Sequence, residues 1–196
     1  MRTFKEPLGS ILIEAARMYA LDSHQHTMNY AGWEDEDNTP QKIQRILHGR
    51  LAQLWLGEWC RINQVPHVAD RSLYTHADGG VDLTILNHPI DVKASFNLPP
   101  QVGSHLREKA GGAEWFAFAS LPWDLSWICI DGLIATSDFF QRAQFIPYGQ
   151  NIPGTQLRQR FQDGSYFLLD RSPLHSLSEI VETWTVEQKR EKMAHV

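Results

Sequence analysis

Residues 80–95 read GVDLTILNHPIDVKAS, two short runs in which apolar and polar residues alternate. The runs cover 81–86 and 90–95, and Asn-His-Pro separates them. Alternation at a period of two is typical of β-strands, because successive side chains on a strand point to opposite faces. The stretch therefore predicts a β-hairpin with a tight connection at 87–89.

The second strand of this hairpin carries an acid and an amine on one face. Asp91 and Lys93 are two residues apart and point the same way, while Ile90 and Val92 point the other way. The apolar residues on either side of this acid and this amine would normally belong to the core. This placement predicts a polar site, although an exposed strand face with a surface ion pair is the simpler alternative.

A second acid, Asp82, comes early in the first strand. A hairpin with the predicted turn does not place Asp82 directly opposite Asp91. Their close approach needs sheet twist, a bulge or a splayed pair. Two neighbouring carboxylates repel unless a cation or a proton lies between them. Mg²⁺ prefers such oxygen ligands, and an adjacent Lys93 can orient a water or stabilise phosphoryl charge, so the set suits phosphodiester hydrolysis.

A long helix is predicted upstream, from about 41 to 64, because Thr39 followed by Pro40 is a typical helix start. Glu58 lies within or beside the apolar stripe of this helix. A carboxylate there is costly without a partner, and a metal site would provide one. The alternative is that Glu58 lies on the solvated rim of the helix.

The remaining patterns predict an α/β or α+β domain built around one mixed sheet. Residues 146–164 are predicted to be mainly loop and the charged tail from 187 to fray. The predicted helices cover 8–21, 99–109, 137–143 and 174–184, and the predicted strands cover 68–74, 115–121, 127–130 and 166–169.

A helical Glu58, then Asp82, then Asp91-Val92-Lys93 resembles the pattern of the PD-(D/E)XK nuclease superfamily. The resemblance covers about 41–136, with 99–110 in the place of the helix after the third strand. Val81 stands where the family pattern has Pro. The resemblance implies a restriction endonuclease-like core at 41–185, preceded by a helical extension with an acidic loop at 1–40 and followed by a charged tail at 186–196.

The resemblance also implies roles for these residues. Asp82, Asp91 and the backbone carbonyl of Val92 would hold Mg²⁺, for which Mn²⁺ could substitute. Lys93 would position the attacking water, and Glu58 would act through a metal-bound water or a second metal. The implied activity is that of a DNA endonuclease that leaves 5′-phosphate and 3′-hydroxyl ends, in a restriction, repair or mobile-element setting.

The net charge of −5 argues against general affinity for nucleic acid, but the charge is unevenly distributed. Residues 1–40 carry three basic and seven acidic groups, a balance of −4, and residues 41–64 carry four basic groups and one acidic group, a balance of +3. We expect a homodimer on duplex DNA. The predicted DNA contacts are Lys42, Arg45, Arg50, Arg107 and Lys109, with Arg158, Arg160 and Arg171 as further phosphate contacts.

Other interpretations stay open. Asp78 competes with Asp82 as a ligand, but an Asp-Gly-Gly turn explains it more simply. His24 and His26 suggest zinc only weakly, because no Cys pair accompanies them. The whole chain could instead be a non-catalytic subunit on the nuclease fold, one that binds nucleic acid or a partner protein in a larger complex.

The sequence has features of an intracellular protein without a membrane span. It contains no run of about 20 apolar residues. The first residues lack the apolar segment of a secretory signal. Cys60 and Cys129 stand alone, which does not indicate an oxidising compartment.

Overall fold

A computed structural model describes residues 6–27, 39–69, 80–96, 99–107, 112–160 and 163–194. The helices in these ranges are α1 (Ser10–Thr27), α2 (Thr39–Ile62), α3 (Thr136–Arg142) and α4 (Leu177–Ala194), with a 3₁₀ helix at Ser104–Arg107. The strands are β1 (Glu6–Pro7), β2 (His67–Ala69), β3 (Leu83–Ile85), β4 (His88–Ser95), β5 (Gln101–Gly103), β6 (Trp115–Ser120), β7 (Trp127–Ala135), β8 (Gln144–Ile146) and β9 (Ser165–Phe167).

Six strands form a central mixed sheet in the order β1-β7-β6-β4-β3-β2. Only β4 and β6 pair in parallel, and the other neighbours are antiparallel. This arrangement confirms the predicted α/β class with a mixed central sheet. A second sheet of three strands, β5-β9-β8, was not predicted from the sequence.

The alternation of side chains along the central strands gives the sheet two buried faces. One face packs against α1, α2 and α4, with Leu51 and Trp184 among the most deeply buried side chains. The other face carries Phe116 and Phe118 and packs against Phe139 of α3. The polar residues of β4 that share this second face therefore lie next to an aromatic cluster.

The hairpin β3–β4 turns through Leu86 and Asn87, which have φ angles of 49° and 70°. Two consecutive positive φ values are the geometry of a tight two-residue hairpin turn. The predicted connection at 87–89 was therefore wrong, and β4 begins at His88. The observed register pairs Leu83 with Ile90, and the ladder ends there, with the Asp82 amide also donating to the Ile90 carbonyl. Asp82 is not paired with Asp91, as the sequence interpretation expected.

Two other segments differ from the prediction. The helix predicted at 99–109 is a short strand followed by the 3₁₀ helix that ends at Arg107, and 108–111 lies outside the described residues. The element after β4 is thus not the long helix that the resemblance implies. The charged tail is helical as far as Ala194, because α4 buries Ile180 and Trp184 and continues from this anchored start.

Candidate active site

The candidate site lies at the edge of β4, at the point where its partner β3 ends. The last ladder pair joins Leu83 to Ile90, and the Asp82 amide still donates to the Ile90 carbonyl at 2.9 Å. The next amide along β4 belongs to Val92 and donates to Asp82 Oδ2 at 2.6 Å. A side-chain carboxylate thus replaces a backbone acceptor, and Asp82 is buried in this position.

This hydrogen bond fixes the direction of the Val92 carbonyl. In an extended strand the N–H and C=O groups of one residue point to the same side. Because the Val92 amide points at Asp82, the Val92 carbonyl faces the same opening beside β3. The peptide group joining Asp91 to Val92 therefore brings the backbone of Asp91 next to the carboxylate of Asp82.

Asp91 and Lys93 form an ion pair on the sheet face that carries Phe116 and Phe118. Lys93 Nζ lies 2.7 Å from Asp91 Oδ2, and the parallel register places the two residues beside those two phenylalanines. Asp91 is only 4% exposed, while the Lys93 side chain is 28% exposed. A buried acid does not fit the alternative of an ordinary exposed strand face. The ammonium group of this partly exposed side chain compensates the charge of an otherwise costly buried carboxylate.

The helix contributes Gln53, which the sequence interpretation did not single out. Gln53 Nε2 donates to Asp82 Oδ1 at 2.5 Å, and Arg50 donates to Gln53 Oε1 at 2.9 Å. The Arg50 guanidinium also lies 4.2 Å from the ring centroid of Tyr19 on α1. Both Asp82 oxygens therefore accept hydrogen bonds, one from a helix side chain and one from the strand.

The structure does not bring Glu58 to these residues. Glu58 forms two hydrogen bonds of 2.6 and 2.7 Å with Arg61 in an exposed ion pair. The hydrogen bond from Arg61 is the main reason that the pKa of Glu58 lies below its usual value. Five positions along a helix rotate a side chain by about 140°, so Glu58 points away from the side of α2 that carries Gln53.

The predicted DNA contacts have different surroundings. Arg45 is exposed on α2, whereas Arg50 is engaged with Gln53 and Tyr19. Arg107 donates to the hydroxyl of Tyr166 at 2.5 Å. DNA contact by these residues stays a prediction. Of the remaining predicted DNA contacts, Lys42 lies on α2, and Arg158 and Arg160 are exposed. Lys109 lies outside the described residues. Asp78, the alternative to Asp82 as a metal ligand, also lies outside them.

A third buried acid, Asp131, lies on β7 and was also missed from the sequence. Asp131 accepts a hydrogen bond from Ser120 at 2.5 Å and pairs with Arg171 at 3.2 Å. Burial raises the pKa of Asp131 above its usual value, against the opposing effects of Ser120 and Arg171. Arg171, expected at a DNA phosphate, thus has an internal partner. A single Asp in an apolar strand carries no sequence signal for such a cluster.

The strand edge carries oxygen donors of the type that a hard cation prefers. Within the described ranges, no three His, Cys, Asp or Glu side chains converge as a metal site. Mg²⁺ is commonly held by only one or two carboxylates with several waters. The oxygens of Asp82, Asp91 and the Val92 carbonyl are of the type that such a site uses, whereas a structural zinc site needs four protein ligands. His24 and His26 lie on α1, outside the described side chains.

Comparisons of the chain with protein-family models, with curated proteins and with solved structures found no significant match. Among the described helices, none is both long enough and apolar enough to cross a membrane. The geometry of the site is therefore the basis for any statement about function.

Proposed function

We propose that this protein is a Mg²⁺-dependent endonuclease that hydrolyses DNA phosphodiester bonds on a restriction endonuclease-like core. The observation that carries the proposal is the hydrogen bond from Val92 to Asp82. It ties one buried acid to the backbone of a second, Asp91, whose side chain already holds Lys93. Two acids and an amine at a strand edge match the needs of phosphodiester hydrolysis better than those of a structural ion pair.

Each residue has a role that follows from its position. Asp82, Asp91 and the Val92 carbonyl would hold Mg²⁺ or Mn²⁺, which when bound supplies positive charge for a phosphoryl oxygen and lowers the pKa of a water. Lys93 extends from the buried pair toward solvent, where it can orient a water or contact the scissile phosphate. The ion pair holds the Lys93 ammonium beside the carboxylate of Asp91.

The surface for DNA is proposed to include α2. Arg45 is exposed about 12 Å along the helix axis from Gln53, which is about three to four times the axial spacing of phosphates on one strand. Duplex cleavage on both strands is most simply achieved by a two-fold dimer, because one site faces one phosphate. Sedimentation with and without duplex DNA measures this, and a monomer that makes double-strand breaks in one binding event contradicts it.

The experiment that tests the proposal is nicking of supercoiled plasmid by the purified protein. We expect relaxed product with Mg²⁺ or Mn²⁺ and none with EDTA. The product ends should be 5′-phosphate and 3′-hydroxyl, which ligation without end repair detects. Absence of nicking on supercoiled, linear, single-stranded and branched DNA over a range of Mg²⁺ concentrations contradicts the proposal.

One observation favours the alternative of a non-catalytic nuclease-fold subunit. Lys93 is paired with Asp91, and both oxygens of Asp82 accept internal hydrogen bonds, so the polar groups stabilise one another without a ligand. In that case the protein binds nucleic acid or a partner but leaves every DNA intact. Binding measured by fluorescence anisotropy together with the nicking assay separates the two functions.

A further inference from the structure

The chain Arg50–Gln53–Asp82 has only one chemically consistent orientation. Arginine has hydrogen-bond donors and no acceptor, so the Gln53 oxygen must face Arg50. A carboxylate accepts, so the Gln53 amino group must face Asp82. The assignment of the amide oxygen and nitrogen of Gln53, which is often ambiguous, is therefore fixed by its two partners.

This orientation determines what Gln53 can do. Its oxygen, the atom that would bind a cation, is turned toward a guanidinium. Its amino group holds one oxygen of Asp82 while the Val92 amide holds the other. The carboxylate cannot rotate without losing one of these bonds, and each oxygen keeps a second lone pair for another contact. Gln53 thus orients a proposed ligand but is not one itself.

We propose that Gln53 is the positioning residue for Asp82 and that Arg50 acts through it, so that this pair of helix residues sets the affinity of the site for Mg²⁺. This role rests on the metal-dependent nuclease proposed above. Removing a group that orients a metal ligand typically lowers metal affinity or activity by about 10- to 100-fold.

The same relay includes the N-terminal helix. Arg50 lies over the ring of Tyr19 on α1, a geometry that favours a cation–π contact and restrains the guanidinium. Helices α1 and α2 pack along one another, with Ala16 and Ala20 buried between them. The N-terminal helix, predicted as an extension outside the nuclease core, would therefore contribute to the geometry of the metal site.

The test compares Mg²⁺ binding by calorimetry in the parent, Gln53→Met, Arg50→Met and the double variant. Methionine has about the length of Gln53 and replaces the aliphatic part of Arg50, and it removes the hydrogen bonds of both side chains. We expect roughly tenfold or greater weakening of Mg²⁺ binding for Gln53→Met. We expect a smaller loss for Arg50→Met, and almost no further loss when Arg50→Met is added to Gln53→Met.

Gln44→Met is the matched control, because Gln44 lies on the same helix and bonds to His48 and to the Trp123 carbonyl. It should leave Mg²⁺ binding unchanged. Thermal melts in EDTA show whether each variant is folded, and Gln53→Leu serves as a second variant if Gln53→Met does not fold. The Mg²⁺ concentration for half-maximal nicking should rise in parallel with the dissociation constant.

The outcomes separate the two proposals. If the parent binds Mg²⁺ and nicks DNA but Gln53→Met binds Mg²⁺ as tightly as the parent, the positioning role is wrong and the nuclease proposal stands. Additive losses for the two substitutions contradict a relay through Gln53. If the parent neither binds Mg²⁺ nor nicks DNA, the nuclease proposal fails and the positioning role fails with it.

Discussion

Asp82 accepts a hydrogen bond from the backbone amide of Val92, at the place where β3 no longer pairs with β4. A side chain from one strand thus completes the hydrogen bonding of the next strand. Because Val92 follows Asp91 directly, this bond also places the two acids at one strand edge. The catalytic proposal and most of the expected effects of mutation depend on this relationship.

Lys93→Ala should abolish nicking while DNA binding survives. The described contacts place the Lys93 ammonium group on Asp91. Loss of a group that orients water or stabilises charge typically lowers the catalytic rate by about 10²-fold or more. Initial nicking rates and anisotropy with labelled duplex measure the two effects. Lys189→Ala, on the exposed part of α4, is the control. More than about a tenth of parental activity in Lys93→Ala contradicts the assignment.

Glu58→Ala should leave most of the activity, in contrast to Asp82→Ala. The Glu58 carboxylate is engaged in an exposed pair with Arg61, on a different side of α2 from Gln53. Such an exposed pair is screened by solvent and contributes little to stability. Nicking rates at saturating Mg²⁺ compare the two variants. A loss of about 10²-fold for Glu58→Ala would show that Glu58 acts in the site after all.

Asp82→Asn should lower the melting temperature in EDTA. Both oxygens of Asp82 accept hydrogen bonds, from Gln53 and from Val92, so an Asn amino group must face a donor at one of the two positions. One unsatisfied buried donor costs about 1–3 kcal/mol, or several degrees for a domain of this size. Thermal melts in EDTA measure this. A higher melting temperature would instead indicate that repulsion between Asp82 and Asp91 dominates.

Stability should fall as the pH is lowered from about 6.5 toward 4, and His48 should account for part of this loss. Burial beside Phe96 and Trp123 lowers the pKa of His48 to about 4. The unfolded chain binds the proton at about pH 6.5, so in this window protonation favours unfolding. The effect reaches roughly 3 kcal/mol at most.

Urea denaturation of the parent and His48→Gln between pH 4 and 8 tests this expectation. Glutamine is neutral throughout that range and can still accept the hydrogen bond from Gln44. The free energy of unfolding should therefore decline less steeply for the variant below pH 6.5. Equal slopes for the two proteins would mean that His48 is protonated in the folded state as readily as in the unfolded state.

The sheet face on which Asp91 and Lys93 lie could be predicted from the sequence, because the alternation of side chains along a strand is a local property. Asp91 and Lys93 share a face whatever the rest of the fold does, and their apolar neighbours indicate burial. The relation of Asp82 to Asp91 could not be predicted, since it depends on whether the turn has two residues or three. One residue in the turn changes every pairing of the hairpin.

The described contacts bring Gln53 to Asp82, whereas the predicted Glu58 pairs with Arg61. Glu58 was predicted because a carboxylate within or beside the apolar stripe of α2 is costly without a partner, and Gln53 was not singled out. The choice depends on which side of the helix meets the end of β3, and this is a tertiary relationship. Gln53 is neutral, and nothing in the sequence pattern marks it as a residue of the candidate site. Its place beside Asp82 is shown only by its hydrogen bonds with Arg50 and Asp82.

Asp91 is the residue on which the proposed metal-dependent hydrolytic site depends most directly. Asp91→Asn keeps the size of the side chain and removes its charge, and Glu182→Gln on the exposed side of α4 is the matched control. The direct measurement is the single-turnover rate of plasmid nicking with Mg²⁺ at saturating protein. We expect a loss of about 10²-fold or more for Asp91→Asn and an unchanged rate for Glu182→Gln. Equal rates for the parent and Asp91→Asn would contradict the claim.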